Sequence, residues 1–151
     1  MLMDALNWKI LKCLQENARQ SNAKIGRIVG ISSPAVSERI KKMEDIGVIN
    51  GYKTIVSSYE VGYQLKAIIT LRAFMGKLKP FLIKVKSFDE VLNCYRITGN
   101  ENIVMEVMLT NQRHLEQFID QLISYGETKT QIVLSNIIEN TAITKPKSHE
   151  I

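Results

Sequence analysis

With 151 residues and a formal net charge of +5, the chain has room for one or two small domains. Hydrophobic residues make up 45% and charged residues 23%, ordinary for a globular protein, and neither a leader nor an apolar run of about 18 residues is expected to anchor it to a membrane. Cys13 and Cys94 lie far apart with no Cys/His cluster beside them, which speaks against a disulfide framework or a zinc site and fits thiols in a reducing cytosol. The basic excess is densest near the N-terminus: residues 1–50 hold eight Lys/Arg against five acids, whereas residues 63–151 hold eleven against nine. A polyanion partner at that end fits this distribution, and a solvated basic face is the plainer alternative.

Taken in order, Asp4 to Asn17 predicts a helix with Leu6, Ile10 and Leu14 on one stripe and Leu11 and Cys13 beside it. Trp8 reads as a partly exposed packing residue. Ala23 to Met43 predicts a short helix, a tight turn at Gly30 and a second helix. Ser32 caps that second helix and Pro34 sits in its first turn, where a missing N–H costs little. Val36, Ile40 and Met43 form its apolar face, and Pro34, Ser37, Glu38, Lys41 and Lys42 the opposite one, with Arg39 at the flank. Such a pair of helices is a helix-turn-helix, whose second helix lies in the DNA major groove. The expected DNA-contacting residues are Ser32, Ser33, Pro34, Ser37, Glu38, Arg39, Lys41 and Lys42.

Gly47 is placed to end this helix in the left-handed conformation. Val48-Ile49 and Tyr52 to Val56 are β-like and are broken by Asn50-Gly51, a hairpin signal, so a wing or hinge strand is expected before a linker from Ser57 to Gly62. The second half changes period. Strands are predicted over 65–74, 91–97, 103–109 and 130–138. One helix is predicted around Leu78, Phe81, Leu82 and Val85, and another around Leu115, Phe118, Ile119 and Leu122, closed by Gly126. The order βαββαβ is the ferredoxin-like arrangement, giving an α+β fold class overall. Two helices cover one sheet face, yet Ile68-Ile69 and Ile103-Val104-Met105 are apolar on both sides, so the open face is expected to pair with a second copy.

Several short motifs fall in register with one family. Met3-Asp4-Ala5-Leu6-Asn7 with Ile10-Leu11, then Arg19, then Gly30-Ile31-Ser32, Val36, Arg39-Ile40 and Met43-Glu44 resemble the Lrp/AsnC (feast/famine) family of prokaryotic transcription regulators. So do Gly47 to Tyr52, Gly62, Tyr95 to Gly99 and Thr130 to Ser135. The resemblance implies a winged helix-turn-helix, a β-hinge, dimers assembling into octamers, and a cytoplasmic, nucleoid-associated regulator of transcription. It divides the chain into a DNA-binding domain at 1–50, a hinge at 51–62, a ligand-sensing and oligomerisation domain at 63–142 and a tail at 143–151. Family members that bind an amino acid carry Gly-x-x-Asp before the third strand, where this chain has Gly99-Asn100-Glu101-Asn102. An effector site is expected at those four residues with Thr130 and Gln131, Glu101 standing in for the acid. The opening motif departs too, with Asn7 in place of Asp, and a change in local capping is expected there. A purely architectural DNA-binding protein with no effector is the alternative. No nucleophile–base pair, phosphate loop or metal-ligand set is present, so neither enzymatic activity nor a cofactor is expected, and His114 reads as a surface residue.

Overall fold

The computed structural model describes residues 3–147, which divide into two compact units: the residues up to Thr54 together with those from Ile138, and Ile55–Ile137. The proposed tail at 143–151 therefore lies partly outside the described residues.

The first unit is built on α1 (Ala5–Glu16), α2 (Asn22–Val29) and α3 (Ser33–Asp45). Each starts on a side-chain oxygen that accepts a free amide of the first turn: Asp4 from Asn7, Ser21 from Lys24 and Ser32 from Ala35. Ile10, Cys13, Ile25, Val29, Val36 and Met43 close a small core between the three helices. Gly30 turns the chain from α2 to α3 at φ +82°. Gly47 ends α3 at φ +74°, donating to Glu44 while Val48 donates to Met43, the paired bonds of a Schellman stop. Beyond it the expected hinge strand does not form in this chain: residues 51–57 pair with no other strand, and Ile55 and Val56 are exposed. A strand needs a partner for its N–H and C=O groups, and among the described residues none is offered. The residues after Ile138 return to α1, where the Gln15 amide both donates to the Ile143 carbonyl (3.0 Å) and accepts from its N–H (2.7 Å).

The second unit alternates strand and helix: β1 (Leu65–Ala73), α4 (Leu78–Lys84, continued by a 3₁₀ turn at Val85–Ser87), β2 (Val91–Arg96), β3 (Ile103–Leu109), α5 (Gln112–Leu122) and β4 (Gly126–Ile132). The strands form one antiparallel sheet in the order β2-β3-β1-β4, the ferredoxin-like topology expected from the element order. Ala67, Ile69 and Leu71 on β1 and Ile103, Met105 and Val107 on β3 pack with Phe81 of α4 and Phe118 of α5. Phe88 meets Phe118 edge-on, with ring centroids 5.3 Å apart.

Four expectations need correction here. Gly126 does not close α5. It begins β4, buried, and a β-carbon there would meet the Arg72 carbonyl and the Ala73 Cα, so only glycine lets β4 approach the end of β1. The last strand accordingly runs over 126–132 rather than 130–138. Its ladder on β1 ends at the Ala67–Ile132 pair, with one further bond from Val133 to Lys66. His114 is also not a free surface residue: its Nδ1 faces the Thr110 amide (3.3 Å), and its Nε2 lies 3.1 Å from Glu90. The sheet face away from the helices is mixed rather than apolar, carrying Ile68, Val104 and Met108 with a Lys66–Glu106 ion pair at 3.7 Å.

Candidate DNA-reading helix and effector loop

α3 sorts its residues as the helical period demands. Val36 and Met43 are fully buried, while Ser32, Pro34, Ser37, Glu38, Lys41 and Lys42 are exposed and Ser33 is half-buried. Lys42 and Glu38 are joined at 2.6 Å, one turn apart, and the Lys42 ammonium bonded to Glu38 holds that carboxyl below its ordinary value. The face therefore offers hydroxyls, a carboxylate and ammonium groups side by side, the donors and acceptors that base edges and phosphates require.

Arg39 departs from the expected set. Its Nη1 donates to Asp4 Oδ2 (2.7 Å) and to Asn7 Oδ1 (2.9 Å), so its guanidinium is directed at the start of α1. Asn7 is fully buried and takes no part in capping through its side chain; its backbone N–H is the donor to the Asp4 cap. The signal for this arrangement lay in the sequence as the two polar positions flanking Leu6, but only the packing of α1 on α3 reveals their shared partner.

The loop between β2 and β3 is a different kind of place. Gly99 and Asn100 are exposed, with Gly99 at φ +109°. Asn102 is committed to the sheet: its Oδ1 accepts from the Ala73 amide (2.7 Å), its N–H donates to Leu71, and its carbonyl accepts from Ile97. Glu101 accepts from Lys129 (2.8 Å), and that ammonium is the main cause holding the Glu101 carboxyl below its ordinary value. Thr130 pairs with Ile69 and so faces the helices, whereas Gln131 pairs with Ile68 and faces away. The structure thus brings Glu101 to β4 beside Lys129 but splits Thr130 from Gln131 across the sheet.

Residues 3–44 match the AsnC-type helix-turn-helix domain, and residues 66–143 match the Lrp/AsnC ligand binding domain. An uncharacterized HTH-type transcriptional regulator of Bacillus subtilis, YezC, is 34% identical over 89% of this chain and 95% of its own length. Escherichia coli AsnC superposes with a TM-score of 0.84 at 31% identity, over 93% of this chain and 98% of that one. A transcriptional regulator of Neisseria meningitidis, crystallised as an L-Met complex, superposes with a TM-score of 0.89 at 28% identity, over 94% of this chain and 96% of that one. The capped helix-turn-helix followed by the β2-β3-β1-β4 sheet, together with these matches along nearly all of its length, shows that the chain belongs to the Lrp/AsnC family and is a transcriptional regulator with a helix-turn-helix and a ligand-binding domain, not an enzyme.

Proposed function

We propose that the protein reads a specific DNA site by laying α3 in the major groove. Ser33, Ser37 and Glu38 face base edges, Lys41 and Lys42 face phosphates or guanines, and Ser32 and Pro34 bring the helix N-terminus to the backbone. The observation that carries this reading is the outward face of α3, where these groups are exposed while Val36 and Met43 hold the opposite face in the core. The sheet unit serves as the oligomerisation and sensing domain. Its face with Ile68, Val104 and Met108 pairs with a second copy, and dimers associate further into an octamer. An uncharged amino acid is the effector class, supported by the L-Met complex of the Neisseria relative. It binds beside Gly99 to Asn102, with Glu101 meeting its ammonium once Lys129 is displaced. The work is done in the cytoplasm, on the nucleoid.

The test of α3 is Lys41→Ala with Lys42→Ala, titrated against DNA over a range of salt. The affinity is expected to fall and the slope of log K against log salt to flatten by up to about 2. Unchanged affinity and slope take this helix out of the interface. A stable monomer by light scattering at micromolar concentration defeats the assembly. Calorimetry with the twenty amino acids tests the effector, and the Glu101→Gln variant is expected to lose most of any binding found. If none binds at millimolar concentration, the effector-free architectural reading replaces it.

A further inference from the structure

Three bonds close a ring between the first and third helices. The Asn7 N–H donates to Asp4 Oδ1 (2.8 Å), Arg39 Nη1 donates to Asp4 Oδ2 (2.7 Å), and the same Nη1 donates to Asn7 Oδ1 (2.9 Å). Asp4 thus spends one oxygen on capping α1 and the other on holding α3. Asn7 is wholly buried, and its Nδ2 finds no partner among the described residues. Arg39 sits three residues after buried Val36 and next to Ile40, on the edge between the packed and the outward faces of α3. A guanidinium held at two oxygens has fixed direction as well as fixed place, which a single apolar contact does not provide.

We infer that Asp4, Asn7 and Arg39 form a clamp that sets the pose of α3 against α1, and that Arg39 serves DNA binding as a positioning residue rather than by touching phosphate or base. Two of the three bonds in the ring join α3 to the start of α1, so rotating α3 about its axis works against both. Ser33, Ser37 and Lys41 are carried on the same rigid helix, so their aim follows from the clamp. Asn7 is the weak member. A neutral amide meets a guanidinium with one useful atom, and its other end is left unpaired in the interior, where an unpaired donor is costly. Asp4 is the charged member, so Asp4→Asn, which keeps an oxygen for the α1 cap but removes the charge that Arg39 meets, loosens the clamp.

This inference rests on α3 being the reading helix, and the tests separate the two. Melting temperature is followed by circular dichroism, and affinity for mixed-sequence duplex DNA is followed across salt, for the full chain, Arg39→Met and Asp4→Asn. Arg39→Met is expected to lower the melting temperature by about 5 °C or more, the scale for losing a charged hydrogen bond from a unit this small. Measured while folded, its DNA affinity is expected to fall with a salt slope parallel to that of the parent, because no phosphate contact has gone. Asp4→Asn is expected to lower the melting temperature by less than Arg39→Met does, again with a parallel slope. An unchanged melting temperature with a slope flattened by about 1 for Arg39→Met makes Arg39 a phosphate contact and overturns the clamp. So does an unchanged melting temperature for Asp4→Asn. Failure of the Lys41 and Lys42 test removes α3 from DNA but leaves both melting temperatures, and hence the clamp itself, to be read independently.

Discussion

The helix-turn-helix unit and the sheet unit put their polar bonds to different uses. In the first, each helix is capped from three residues away, α3 is stopped within five residues of Met43, and the longer reaches, Arg39 to Asp4 and Asn7 and Gln15 to Ile143, all end at α1 or its cap. In the second, Asn102 bonds a backbone 29 residues back, Lys129 reaches Glu101 across 28, and Gly126 is dictated by Arg72. Local chemistry leaves the outward face of a helix free for a partner. Long-range bonding turns loop polar groups into struts, so polarity in the β2–β3 loop does not by itself mean availability.

Four measurements break or sharpen that contrast. The largest effect is expected at Gly126→Ala, whose added carbon meets backbone that cannot move aside. About 3 kcal/mol of stability should be lost in denaturant titration, with the sheet unit bearing it. Asn102→Ala should cost about 2 kcal/mol by orphaning the Ala73 amide, and Asn102→Asp, which keeps the acceptor, should recover most of it. A cost near zero would free Asn102 for a ligand and undo the distinction between strut and site. In the first unit Ser32→Ala should cost about 1 kcal/mol, the loss of one cap. Lys41→Ala should shift stability by no more than about 0.5 kcal/mol while still weakening DNA binding, as befits an outward group.

A pH titration adds a fifth, subtler reading. Asp4 lies below its ordinary value of 3.8, first through the Asn7 backbone N–H and then through Arg39. Glu101 lies below 4.5, first through Lys129. A carboxylate depressed in the folded state adds stability that is fully present above its unfolded value and lost as pH falls through the folded one. Both contributions should therefore be constant at neutral pH and fade only in acid. Carboxyl carbon chemical shifts should show the Asp4 midpoint rising in Arg39→Met yet staying below 3.8, because the Asn7 N–H remains.

What the sequence made legible follows the same division. The start and stop of α3, the turn at Gly30 and the strand at 103–109 were readable because Ser32, Gly30, Gly47 and the apolar run of β3 act through their immediate neighbours. The topology of the sheet was readable from element order alone. Gly126 was misread because a glycine after a helix commonly serves as its stop, while here the restriction comes from Arg72 on another strand. The segment Tyr52 to Val56 has β propensity but no strand beside it within this chain, and propensity alone says nothing about where a partner comes from. Arg39 was grouped with the outward residues because its position is borderline by period, and only the placement of Asp4 and Asn7 decides where it points.

The pairing of Gln15 with Ile143 has an optical corollary. Trp8, the one tryptophan of the sequence, lines the groove between α1 and residues 142–145, and the sheet unit contains tyrosine and phenylalanine but no tryptophan. Indole emission from the unlabelled protein is therefore a private channel. It reports the seating of the returning chain on α1 and stays silent about the strands, so movement of that segment on meeting DNA or a small molecule can be watched in real time without attaching a dye.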